Sequence, residues 1–178
     1  MRAQSYVLAL ACAGVLACSL AACAPAANRG AIVGERAAEG ALSLPDGGEL
    51  RLEQLRGHVV VLAFFTSWCA SSGPTLRAVD ELRARNAASG LDVIAVGEGE
   101  RASEVKTFAT KLGVRATVAF DEGGALATQL GLPTVPAVVV IDRDGTIRHV
   151  QAGYHGDEDR AEITRAVANL LAARASFS

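Results

Sequence analysis

Past the first 25 residues, Val59–Phe65 is an apolar run of seven residues with no polar interruption. Such a run predicts a strand buried on both faces. Residues 92–96 and Ala137–Ile141 predict two further buried strands, and 117–120 a short one. Helical spacing fills the intervals. Leu76, Val79 and Leu82, with several alanines, recur at three to four residues from Pro74 to about Ala88. A second helix carries Val105, Phe108, Ala109 and Leu112, with Ser103 as its expected cap and Gly113 as its stop. Residues 124–130 predict a short helix, and about 157–173 a final one whose acids Asp157, Glu158 and Asp159 suit the first turn. Alternating positions around Asp46-Gly47 predict a β-hairpin within 41–52, and 53–57 reads as a connector. Asp142-Arg143-Asp144-Gly145 turns the last buried strand into an antiparallel partner at 146–152. After the hairpin the order is βαβαβαββα. That alternation predicts a central sheet with helices on both faces, made mixed by its terminal hairpin.

The chain has 178 residues, of which 51% are hydrophobic, enough for one domain with a full core plus appendages. A net charge of −2 gives no footing for nucleic acid. The N-terminus reads as a targeting signal. Arg2 precedes an apolar stretch over 6–17 that is too short for a comfortable membrane span. It closes on Leu20-Ala21-Ala22-Cys23, which resembles a bacterial lipobox. That resemblance implies cleavage before Cys23 and a lipid on its sulfur. An ordinary secretory signal cut at a nearby Ala-x-Ala site is the alternative, made awkward by Pro25. The expected organisation is a signal over 1–22, a tether over 23–41, a domain over 42–174 and a tail over 175–178. Cys12 and Cys18 leave with the signal and Cys23 is lipidated, so Cys69 is the one thiol of the mature protein. The expected location is the cell envelope, lipid-anchored on the periplasmic side. Ala24, where an acidic residue would mark inner-membrane retention, favours the outer membrane.

The strand over 59–65 runs into Trp68-Cys69, and a helix follows. Together with the segment 50–57, the run 93–97 and the stretch 135–145, in that order and spacing, this resembles the TlpA/ResA branch of thioredoxin-like proteins, related to the AhpC/TSA redoxins. The resemblance covers roughly residues 42 to 172. It implies an α/β thioredoxin-like three-layer sandwich, its mixed central sheet extended by an N-terminal β-hairpin and an inserted strand and helix. It also implies anchored or periplasmic thiol–disulfide exchange. On that pattern Cys69 is the nucleophile, and Ser72 stands where the second, resolving cysteine belongs. A serine cannot attack a mixed disulfide, but its hydroxyl can donate to the thiolate of Cys69; the alternative is a small polar residue at a helix start. Val135-Pro136 matches the cis-proline that faces the cysteine, and with Trp68 it forms the expected client-binding edge. Glu100, with Glu98 a close second, matches a glutamate able to relay protons, against the alternative of solvated loop acids. Ala63 replaces the buried aspartate of thioredoxins, and Arg77 their kink proline.

Pro74 departs from the pattern. It suits a first helical position with Ser72 or Gly73 as cap, so the helix is expected to start late or with a distorted first turn, which weakens its dipole at Cys69. His58, His149 and His155 carry no expected metal, because the cysteine pair of related copper-handling proteins is absent. No cofactor is expected. The leading expectation is a monomeric single-cysteine exchange protein whose partners are thiol or disulfide clients and an external reducing thiol. The rival is a binding module that has lost turnover. A lesser alternative is a peroxiredoxin-like antioxidant, since Thr66 precedes Cys69 by three residues as in peroxiredoxins, although Leu62 stands where they carry proline.

Overall fold

A computed structural model describes residues 33–37, 39–86 and 88–173. The expected signal, Cys23 and tail lie outside the described residues. Seven strands form one sheet in the order β2-β1-β5-β4-β3-β6-β7. They are β1 (Ala41–Ser43), β2 (Glu49–Arg51), β3 (Val59–Phe65), β4 (Leu91–Glu98), β5 (Thr117–Asp121), β6 (Ala137–Ile141) and β7 (Ile147–Ala152). A 3-10 turn over Leu52–Leu55 links the hairpin to β3. The helices are α1 (Ser72–Arg85), α2 (Ala102–Leu112), α3 (Ala125–Gln129) and α4 (Asp157–Ala172). None is long and apolar enough to cross a membrane.

β3 is central, parallel to β4 and antiparallel to β6, and every one of its residues is buried. Its period of two divides the core. Val59, Val61, Ala63 and Phe65 meet Leu76, Val79 and Leu82 of α1, Val105 of α2, and Ile163 and Val167 of α4. Val60, Leu62 and Phe64 meet Leu126 of α3 together with Leu42 and Leu52 from the N-terminal part. The chain is thus layered helices, sheet, then α3 and the N-terminal segment, and its parallel strands all end at one edge.

Several boundaries differ from expectation. The structured part begins before residue 42. Gly34 N–H donates to Ile147 O at 2.8 Å, Ile147 N–H to Glu35 O at 2.8 Å, and Ala37 N–H to Gly145 O at 2.9 Å. The end of the expected tether is thereby fastened beside β7, with Ala37 buried. α1 stops at Arg85, where the Asn86 side chain donates to Leu82 O at 2.8 Å. Ser103 lies inside α2; the cap is Arg101, whose N–H donates to the Glu104 carboxylate at 3.2 Å. Pro74 is the third residue of α1, not the first, and Ser71 holds the cap position. A third-position N–H has no partner within its own helix, so proline forfeits nothing there.

Candidate active site

The site begins where β3 ends. Phe64 and Phe65 are fully buried, and the Phe65 ring stacks on Phe108 of α2 with centroids 5.8 Å apart. Beyond this anchor the chain turns tightly. Cys69 N–H donates to Thr66 O at 3.4 Å, and Ser72 N–H to Cys69 O at 3.1 Å. Cys69 therefore sits in a turn, three residues before the first helical residue, and is half-buried. Trp68 beside it is 75% exposed, an unusual placement for so large an apolar ring.

The sulfur has two close neighbours. Sγ lies 3.5 Å from Ser71 Oγ and 4.0 Å from Val135 O. The Val135–Pro136 bond is cis, as expected. The Ser71 hydroxyl does most to hold the Cys69 thiol below its ordinary pKa, and the Ser71 N–H adds to it. Burial opposes the shift, and the Ser72 hydroxyl and N–H contribute less. Ser72 is fully buried and its Oγ forms no hydrogen bond, and its pull on the Cys69 thiol is the weaker one. The structure thus brings together Cys69, Ser72, Val135 and Pro136. It adds Ser71, which sequence reasoning missed: of adjacent serines, only the turn geometry decides which hydroxyl meets the sulfur.

Glu100 reaches the site indirectly. Its carboxylate accepts from Ser67 N–H at 2.7 Å and from Ser67 Oγ at 2.6 Å. The loop after β4 is thereby clamped to the loop that carries Cys69, two residues away. Ser67 was also missed, since nothing local in sequence pairs it with an acid 33 positions on. Glu98 points elsewhere. It ends β4 opposite Asp121 of β5, and burial first, then the Asp121 charge, raises its pKa. Asp121 is itself buried and accepts from Leu126 N–H at 3.1 Å and Ala127 N–H at 2.8 Å.

The histidines do not join the site. His58 pairs with Asp92 at 2.7 Å at the start of β3, about 20 Å of strand away from Cys69. His155 pairs with Asp159. His149, on β7, is half-buried with its Nε2 unpartnered, and burial lowers its pKa. Among the described residues no group of three or more His, Cys, Asp or Glu side chains is placed to hold a metal ion.

The chain has relatives in sequence and in fold. The redoxin family model matches residues 32–167. The thiol-disulfide oxidoreductase ResA of Geobacillus thermodenitrificans is 28% identical over 127 residues, covering 71% of this chain and 73% of that protein. ResA of Bacillus thuringiensis is 28% identical over 102 residues, covering 57% of this chain and 59% of its own length. Two solved structures are similar over most of the chain. A protein of Chlorobium tepidum assigned as thiol:disulfide interchange protein DsbE superposes with a TM-score of 0.74 at 26% identity, covering 79% of this chain and 98% of that one. A protein of Bacteroides thetaiotaomicron assigned as a protein disulfide isomerase gives a TM-score of 0.72 at 26% identity, covering 79% and 90%. The fold expected from the sequence is the one these structures share.

Proposed function

The chain belongs to the redoxin family, with a thioredoxin-like fold of the TlpA/ResA type, and from that premise we propose that it is a single-cysteine thiol–disulfide exchange protein. The observation that carries this reading is the setting of Cys69: half-exposed, its Sγ 3.5 Å from Ser71 Oγ and 4.0 Å from Val135 O. A lowered thiol pKa raises the thiolate fraction at a given pH, and the thiolate is the attacking species. The relatives named thiol-disulfide oxidoreductase ResA support the same chemistry.

In the proposed reaction the Cys69 thiolate attacks one sulfur of a client disulfide. A new S–S bond joins Cys69 to the client, and the client's other sulfur leaves as thiolate. Trp68 and the backbone at Val135 and Pro136 border the sulfur and would hold the client segment as an added extended strand. Ser71 and, more weakly, Ser72 stabilise the thiolate. Glu100 acts through Ser67 as a positioning residue. Ser72 cannot displace the client, so an external thiol completes the turnover. Within this proposal the domain is anchored in the cell envelope by a lipid on Cys23 and works on the periplasmic side.

The experiment is direct. The folded protein is treated with a maleimide and with an aromatic disulfide reagent near neutral pH. Fast modification of Cys69, with release of one thiolate per chain, is expected. Slow modification, comparable to that of a buried thiol, would favour a binding module without turnover. Replacing Ser72→Cys puts a thiol at the buried position three residues after Cys69, where the family pattern carries its resolving cysteine, and a gain of insulin-reducing activity is expected. Failure of that variant to oxidise to an internal disulfide would mean that the turn geometry forbids exchange.

A further inference from the structure

A single cysteine leaves the mixed disulfide waiting for a second thiol. An open cleft of about 420 Å³ adjoins the loop that carries Cys69. It lies between that loop and α2, lined by Ser67, Ser103, Glu104, Thr107, Phe108 and Lys111. Its volume falls within the range of small-molecule sites, roughly 300–1,000 Å³. Ser67 is two residues from the nucleophile and is fixed by both oxygens of Glu100, so the cleft wall is held in register with the sulfur. Phe108, fixed by its stacking on Phe65, gives the cleft an apolar floor. Its rim offers opposite charges. Lys111 makes no salt bridge among the described residues, and the exposed Glu104 lies two turns earlier on the same face of α2, its carboxylate shared only with Arg101. Ser67, Ser103 and Thr107 add hydroxyls to the lining; those of Ser67 and Thr107 already donate, to Glu100 and to Ser103 O, so their oxygens remain as acceptors.

We propose that this cleft binds a low-molecular-weight peptide thiol, one that carries carboxylates and an ammonium group, and that this thiol resolves the Cys69 mixed disulfide. The inference rests on the exchange reading above. Lys111 would take a carboxylate, Glu104 the ammonium, and the hydroxyls the amide groups. The bound thiolate attacks Cys69 Sγ; the S–S bond to the client breaks, the client leaves as thiolate, and Cys69 is joined to the small thiol. A second small thiol attacks that bond, forms the small-molecule disulfide and returns the Cys69 thiolate. Two thiols supply the two electrons that reduce the client disulfide, and their protons pass to the departing thiolates.

The test uses the protein carrying a thionitrobenzoate mixed disulfide on Cys69, with release of the coloured thiolate followed against thiol concentration. Glutathione is the charged probe and 2-mercaptoethanol the uncharged one. The expected result is saturation for glutathione and a straight line for 2-mercaptoethanol. Lys111→Glu should lower the ratio of the two second-order rates by about tenfold, the size of one lost ion pair in a partly enclosed site. In parallel, S-methylglutathione titrated into Cys69→Ser should shift the amide signals of Ser67, Thr107 and Lys111. Linear release by both thiols, or shifts absent from α2, would overturn the cleft assignment while leaving exchange at Cys69 intact. Failure of Cys69 to take up the thionitrobenzoate group would instead overturn the exchange reading beneath it.

Discussion

A thiol ionises near neutral pH only where donors or positive charge favour the anion over the buried neutral form. Around Cys69 that role falls first to Ser71, whose hydroxyl is 3.5 Å from Sγ, and only then to Ser72. The helix dipole is a lesser candidate, because α1 starts three residues beyond the sulfur and dipole effects fade within about one turn. The alkylation rate of Cys69 against pH reads this hierarchy. Its midpoint in the native protein is expected below that of an ordinary thiol. Ser71→Ala should move the midpoint up, and Ser72→Ala should move it up by less. Equal shifts, or a larger one for Ser72, would reassign the thiolate's main partner. Removing Ser71 is also expected to slow mixed-disulfide formation at pH values below the native midpoint, where its loss cuts the thiolate fraction.

At the scale of elements, β4 and α2 pack closely beside the site, at Gly97 and Val105. A Cβ on Gly97 would lie 2.3 Å and 2.6 Å from the two γ-carbons of Val105, a fully buried residue. Glycine here is a packing requirement, since no side chain fits between strand and helix. Gly97→Ala is expected to destabilise the fold by about 1–3 kcal/mol through overpacking. Adding Val105→Ala should recover part of that loss, a coupling of about 1 kcal/mol in a double-mutant cycle read by urea unfolding. Strict additivity would show that helix and strand do not meet at this point. Most elements were legible because their periodicity is strong. β6 runs over Ala137–Ile141 as read from its apolar run, and α4 differs by one residue from expectation. What escaped was set by partners remote in sequence. The fastening of residues 34–37 to β7 depends on backbone groups, which carry no side-chain signature. The clamp of Glu100 on Ser67 links two loops that are neighbours only because β3 and β4 are parallel. Cap positions failed for a related reason. Ser103 looked the better cap than Arg101 on residue type, but the reach of Glu104 back to the Arg101 N–H settles the start of α2.

Across the whole molecule, parallel β3, β4 and β5 end together, and the same edge gathers Cys69, Glu98, Glu100 and Asp121. The opposite end holds His58 and the β6–β7 turn, where Arg148 pairs with Asp142 at 2.6 Å and Arg36 donates to Asp144 O at 2.9 Å. The chemistry therefore sits at the end of the sheet that carries these carboxylates, while the opposition to the Cys69 thiolate comes from burial, which the Ser71 and Ser72 donors offset. Asp121 has its own compensation in two α3 N–H groups, so Glu98 is the carboxyl that yields. Its pKa is raised by burial and then by Asp121. An acid with a raised folded-state pKa binds its proton more tightly in the native state than in the unfolded chain. Stability then falls as pH rises from the unfolded-state value through the folded one, and the penalty is complete above both. Glu98→Gln removes the ionisable group and keeps its shape. The variant is expected to be more stable than the native chain near neutral pH. That gain should shrink as pH drops through the raised pKa of Glu98 and vanish below the ordinary glutamate value, where both side chains are neutral. Urea midpoints of the two proteins across the acidic range measure it. A gain that stays constant with pH would mean that Glu98 carries no burial penalty in the folded protein.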